Sequence, residues 1–257
     1  WGPKRPRYPY RPHELNAAAL VLAKGAEAMG IDWAPTPLAT VSAPRGESPP
    51  CVYRGFCAQG CSTNAKQSAL ITWIPRAVKA GAEIRDLAMV TRVESDPRTG
   101  HVTGVHYHRE DRWHFQRAKN VVVAGYAIET PRLLLNSASP RHPNGLANSS
   151  GLVGRYLMTQ ANQAVYGTMQ QEVRWNKGPP SLALTEHWNY EDKKDFFGGY
   201  CYMSQGPLPV GWASTIAGAR GLWGAKLVEE MEKYNHAVGL KIVGEVLPDE
   251  RNCVTLA

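Results

Sequence analysis

The sequence predicts a mixed α/β chain, α+β overall, divided between two modules. Three observations carry this. Residues 82–125 alternate short β-branched stretches with turn signals, then close on the apolar run VVVAG and a capped helix start. Residues 159–257 are strand-rich, with one helix between the strands. Glycine (24) and proline (19) are both abundant among 257 residues, which fits many turns and excludes a helical bundle.

Taken in order, residues 1–12 carry Pro3, Pro6, Pro9 and Pro12 and read as an extended arm. Lys4, Arg5, Arg7 and Arg11 cluster there beside Tyr8 and Tyr10. With a formal charge of +7, such an arm raises nucleic-acid binding as a question. No nucleic-acid module follows it, so it reads as a surface arm, with no nucleic-acid partner expected. HELNAAALVLAKGAEAMG (13–30) has helical spacing and stops at Gly30. Residues 31–50 hold Pro35, Pro37, Pro44, Pro49, Pro50 and an Arg-Gly-Glu turn, so they form a loop. KQSALITWIPRAVKAG (66–81) resumes helical spacing with a break near Pro75.

A strand within 82–96 and a meander over 101–119 follow, with turns at Pro97–Gly100 and Glu110–Asp111. VVVAG (121–125) reads as a buried central strand. Thr130 is the expected N-cap and Pro131 the first residue of the next helix, a geometry that aims backbone N–H groups at a ligand. Beyond residue 158, the segments ANQAVYGTM, SLALTEHWNY, FGGYCYMSQ, AVGLKIVGEVL and CVTLA read as strands of an antiparallel sheet, interrupted by the helix GAKLVEEMEKYN. The expected divisions are 1–50 (arm, helix and loop), 51–158 and 159–257. No run of 18 or more apolar residues occurs, so no membrane-spanning helix is expected. The ends, WGPKRPRYPYRP and RNCVTLA, read as cut edges of a longer protein.

The stretch CVYRGFCAQGCS places Cys51, Cys57 and Cys61 in a C-x5-C-x3-C pattern. Three clustered cysteines fit a disulfide framework poorly, although one pair and a free thiol is a possible arrangement. Zinc sites favour closer pairs and a fourth ligand, which is absent nearby. Three buried inert thiols and an iron–sulfur site remain, the latter because thiolates are the ligands that iron–sulfide cores require. Gly55 and Gly60 fall between the cysteines and would let backbone N–H groups approach such a core. His106 and His108 alternate on one strand and read as an exposed meander face. Cys201 and Cys253 read as packing residues.

The cysteine stretch with VVVAGYAIETPRLLLNS and GLANSSGLVGRYLM resembles the glucose-methanol-choline family of flavin oxidoreductases. It is most similar to the branch of FAD-dependent glucose, gluconate, sorbitol and fructose dehydrogenase catalytic subunits. LPDERNCVTLA resembles that family's strand after its substrate sheet. The resemblance implies that residues 51–158 are part of a Rossmann-like FAD-binding domain with a β-meander, and 159–257 part of an antiparallel-sheet substrate domain. It implies FAD contacts at Val90, Ala124, Gly125, Ala127, Thr130 and Pro131, and a 3Fe–4S cluster on Cys51, Cys57 and Cys61. It further implies a sugar, polyol or alcohol substrate, a cytochrome c subunit with a small accessory subunit, and a periplasmic place reached through those partners. Tyr126 stands where the family has glycine, Ala138 replaces its closing glycine, and Gln160 stands where histidine is common. The family's GxGxxG turn and its catalytic His pair are not in this sequence, so no catalytic residue is named, and the base is expected beyond Ala257. The rival readings are a basic metal-binding module that binds nucleic acid and a related flavin oxidase without a cluster.

Overall fold

The computed structural model describes residues 8–189 and 195–256. The basic cluster at Lys4, Arg5 and Arg7 lies outside them. In chain order the elements are α1 (Ala17–Ala28), β1 (Ala34–Pro35), α2 (Trp73–Lys79), β2 (Met89–Ser95), β3 (Val102–Arg109), β4 (Arg112–Arg117) and α3 (Tyr126–Asn136). Then come β5 (Ala161–Thr168), β6 (Ala183–Thr185), β7 (Tyr200–Gln205), α4 (Pro209–Arg220), α5 (Gly224–Glu232) and β8 (Ala237–Gly244). They group into two compact units, Trp1–Gly81 with Gln160–Glu245, and Ala82–Thr159 with Val246–Ala257. The cysteine stretch therefore belongs to the unit of the larger sheet.

In the first unit a five-stranded antiparallel sheet has the order β1-β6-β7-β8-β5. Helix α1 starts where the Asn16 carboxamide accepts the Ala19 N–H at 2.9 Å, a side-chain N-cap. Its buried face is Ala18, Ala19, Leu22, Ala23 and Ala26. These small side chains let the helix lie close on β6, β7 and β8. The core beside it is aromatic. Trp175, Trp212, Tyr166 and Tyr234 meet edge to face, with Trp175 and Trp212 at 5.1 Å between centroids. Each such pair is worth about 0.5–1.5 kcal/mol beyond the area it buries. Helix α4 was not expected. It forms because Trp212 and Ile216, one turn apart, are buried in or against this cluster.

The second unit carries the antiparallel meander β2-β3-β4. The Asp96 carboxylate accepts the Arg98 and Thr99 N–H groups, both at 2.8 Å, and so turns β2 into β3. Glu110 and Asp111 take φ of 52° and 56°, the left-handed pair of a tight hairpin. Helix α3 packs on β2. Ser137, 2% exposed, joins them by accepting the Val93 N–H at 2.9 Å and donating to the Leu133 carbonyl at 2.6 Å.

Several expectations are corrected. VVVAG is not a strand, since no described segment pairs with it and Val122 is 91% exposed. A strand needs a ladder partner for its backbone groups, and an apolar run alone does not supply one. CVTLA is also unpaired as a strand. It runs instead beside the GRYLM segment, where the Val254 N–H donates to the Gly154 carbonyl at 2.7 Å and the Leu157 N–H to Asn252 at 2.8 Å. Cys253 is exposed there, whereas Cys201 is buried in β7 as expected. Helix α2 is seven residues, shorter than the 66–81 pattern. Helix α3 begins at Tyr126, so Pro131 lies inside it and Thr130 is not its N-cap.

Candidate functional site

The sixteen-residue loop from Cys51 to Lys66 leaves and rejoins one short segment. The Cys51 N–H donates to the Val41 carbonyl and the Val41 N–H donates to the Ala65 carbonyl, both at 2.9 Å. Thr40 and Lys66 form an antiparallel bridge, and the Gln67 N–H reaches the Ala39 carbonyl at 2.8 Å. Residues 39–41 thus anchor both ends, and fully buried Ala65 seals the closure. A second support comes from residues 176–178. The Gly178 N–H donates to the Tyr53 carbonyl at 2.9 Å. Gly55, at φ +79°, faces the Asn176 carbonyl so closely that a Cβ would sit 2.1 Å from that oxygen. Gly55 therefore lets two backbones touch, a role different from the expected approach to a core.

Within this frame Cys51, Cys57 and Cys61 all line one cavity of about 560 Å³, together with Val52, Phe56 and Gln59. Cys51, Cys57 and Cys61 are free thiols, so the paired-disulfide alternative is not realised among them. The sulfurs meet donors. The Tyr53 N–H approaches Cys51 Sγ and the Lys66 N–H approaches Cys61 Sγ, each at 3.4 Å, and Thr63 Oγ1 lies 3.6 Å from Cys61 Sγ. Burial pushes the Cys61 thiol up, but hydrogen bonds from Lys66, Thr63 and Ala65 outweigh it and bring its pKa down to about 7. Burial raises the Cys57 thiol, and the charges of Cys51 and Cys61 raise it further, while Lys66 opposes them. The thiols are therefore near enough to feel one another.

Among the described residues no three or more His, Cys, Asp or Glu side chains close around a single metal ion. Thiolates around a multi-iron core stand farther apart than ligands of one ion. A soft donor set lining one cavity, with N–H groups on its sulfurs, fits such a core in chemistry. His106 does not join it. Its Nε2 lies 2.6 Å from Glu94 on the meander, and its ring packs on Phe115.

The residues expected to touch the flavin lie in the second unit. Gly125 and Thr130 are brought together, the Thr130 hydroxyl accepting the Gly125 N–H at 3.0 Å from inside α3. Ala124 and Ala127 are exposed, and Gly125, Thr130 and Pro131 are half-buried. Val90 is half-buried on β2 opposite Tyr107, next to an irregularity in the strand register. Around them Val122, Tyr126, Ile128, Leu87 and Met89 are exposed. Small residues beside an open apolar surface fit the face of a large ring. Tyr126, in the place of the family's glycine, has φ +68°, the left-handed region that favours glycine.

The GMC oxidoreductase family model matches residues 10–162. The chain belongs to the GMC oxidoreductase family. It is 32% identical over 239 residues to the fructose dehydrogenase large subunit of Gluconobacter japonicus, covering 89% of this chain and 42% of that protein. The same identity and coverage hold for 2-methyl-1,2-propanediol dehydrogenase of Mycolicibacterium austroafricanum. The 6'''-hydroxyparomomycin C oxidase of Streptomyces lividus is 32% identical over 204 residues, covering 75% of this chain and 37% of that protein. The chain thus spans about two fifths of the length of these relatives.

Sequence reasoning missed Lys66 and Thr63. The only signal was their place, directly after the third cysteine in STNAKQS.

Proposed function

We propose that this chain is part of a flavin-dependent dehydrogenase that oxidises a CH–OH carbon of a sugar, polyol or alcohol, with electrons leaving through a 3Fe–4S cluster on Cys51, Cys57 and Cys61. The observation that carries the reading is the set of three free cysteines on one cavity, with backbone donors on two of the sulfurs, in a GMC chain. Bound FAD would accept hydride from the substrate carbon, and the cluster would pass single electrons onward.

The chain's own residues bind and orient. Val90, Ala124, Gly125, Ala127, Thr130 and Pro131 form the wall against the flavin side. Thr130 holds the turn at Gly125, and the exposed alanines leave room for a ring to approach. The Lys66 N–H stabilises thiolate over thiol at Cys61, and the Tyr53 N–H orients Cys51 Sγ. The relatives' names supply the substrate class: two are dehydrogenases of fructose and of a propanediol. One is named a large subunit, which supports a multisubunit assembly, in which a cytochrome c subunit with a small accessory subunit would be the electron outlet. In this reading residues 1–50 belong to the substrate side, 51–158 carry the cluster loop and flavin wall, and 159–257 supply the substrate sheet.

Anaerobic titration of the full-length protein with sugars, polyols and simple alcohols tests the reading. Bleaching of the flavin band by one of these classes is expected. The Cys57→Ser variant should keep that bleaching and lose transfer to a one-electron acceptor. No bleaching by any class refutes the reading. A second reading is an oxidase without a cluster, favoured by relatives named 6'''-hydroxyparomomycin C oxidase and paromamine 6'-oxidase. Hydrogen peroxide formation in an iron-free protein would select it.

A further inference from the structure

We propose that Lys66 is the positioning residue of the three-cysteine cavity: with its ammonium on the Cys57 carbonyl and its backbone N–H on Cys61 Sγ, it ties both cysteines into one cradle. The inference deepens the reading of these cysteines as a ligand set and rests on it. Two contacts from one residue carry it. The Lys66 ammonium donates to the Cys57 carbonyl at 2.6 Å, and the Lys66 N–H points at Cys61 Sγ at 3.4 Å. The residue is fixed by its bridge to Thr40, on the segment that also holds Cys51 through Val41. All three cysteines are thus connected to the bridged segments that carry Thr40 and Lys66.

Lys66 is half-buried, and among the described residues no carboxylate lies within salt-bridge distance of it. A lysine drawn inward normally meets an anion. Here the groups that become anionic on ligation are the thiolates of Cys51, Cys57 and Cys61. A charge-assisted hydrogen bond also fixes the peptide that carries Cys57, which narrows where its sulfur can point. A merely structural lysine would serve as well with its ammonium in solvent.

The test uses arsenite on the reduced, iron-depleted full-length protein. Trivalent arsenic takes three thiols, each As–S bond replacing an As–O bond with release of one water, so its affinity reads how well the three cysteines are gathered. Wild type, Lys66→Arg, Lys66→Met and Cys57→Ser are compared, with melting temperatures alongside. Lys66→Met should weaken arsenite binding by about tenfold or more, the effect of losing one charge-assisted hydrogen bond, at unchanged melting temperature. Lys66→Arg should stay within about threefold of wild type, because it keeps the charge and a donor. Should Lys66→Met not fold, the neutral and shorter Lys66→Gln takes its place with the same expected loss. Wild-type affinity in the neutral variant overturns the proposal, as does wild-type arsenite binding that does not need Cys57. Iron assay of the untreated protein separates the two readings. Iron-free wild type with Lys66-dependent arsenite binding defeats the cluster and supports the positioning role.

Discussion

Replacing Gly55 by alanine probes the contact that frames the cysteine loop. Two costs add. At φ +79° an L-residue pays about 1–2 kcal/mol for the left-handed conformation. The new Cβ would then lie 2.1 Å from the Asn176 carbonyl oxygen, a backbone atom that cannot rotate away. One of the two segments must move by almost an ångström, and such overpacking costs about 1–3 kcal/mol. The expected loss is about 2–5 kcal/mol, or roughly 4–20 °C in Tm for a chain of this size. Gly46→Ala is the control. Gly46 has φ +56° with nothing near its would-be Cβ, so strain alone applies, about 1 kcal/mol and roughly 2–4 °C. Thermal unfolding followed by circular dichroism measures both. Equal losses in the two variants would refute the close approach, and with it the support that residues 176–178 give the loop.

Three further outcomes follow from other parts of the chain. In the iron-free protein, iodoacetamide should label Cys61 first, its rate climbing between about pH 6 and pH 8 as the thiolate forms above a pKa of about 7. Cys57, whose thiol is pushed up by burial and by its neighbours' charge, should lag, and mass spectrometry showing Cys57 labelled first at pH 7 would contradict the hydrogen bonds assigned to Cys61. Ser137→Ala should cost about 1–3 kcal/mol, since it leaves the buried Val93 N–H without an acceptor. Urea denaturation reads that loss, and a neutral variant would remove Ser137 as the tie between α3 and β2. Tyr126→Gly should be more stable than Tyr126→Ala by about 1 kcal/mol, because both lose the same 80% exposed side chain and only glycine relieves φ +68°. Equal melting temperatures for that pair would place Tyr126 outside the left-handed region.

What was legible in the sequence was local. The meander could be read because alternation and turn chemistry sit in the same few residues: Asp96 folds its own turn, and Glu110–Asp111 closes the hairpin. Helix α1 showed in its apolar spacing and its stop at Gly30, whereas its Asn16 cap came from the structure. Elements made by distant partners were misread. VVVAG has a strand's composition, but composition does not provide a neighbouring strand. Helix α4 carries Gly211, Gly218 and β-branched residues and lacks a side-chain cap, so only the burial of Trp212 and Ile216 reveals it. Thr130 was misread as the N-cap: it lies inside α3, and its hydroxyl accepts the Gly125 N–H. At the site, the cysteine spacing brought three thiols to one cavity, while the donors on their sulfurs did not show in the sequence. Lys66 reads as an ordinary surface lysine until its ammonium is found on the Cys57 carbonyl.

The central claim is that Cys51, Cys57 and Cys61 hold an electron-carrying iron–sulfur core. It is tested most directly by low-temperature EPR of the purified full-length protein, with iron, acid-labile sulfide and flavin assayed on the same sample. The expected result is the signal of an oxidised 3Fe–4S cluster, in stoichiometric ratio to flavin, that disappears when substrate is added without air. Flavin that substrate reduces in a protein lacking iron and sulfide would contradict it.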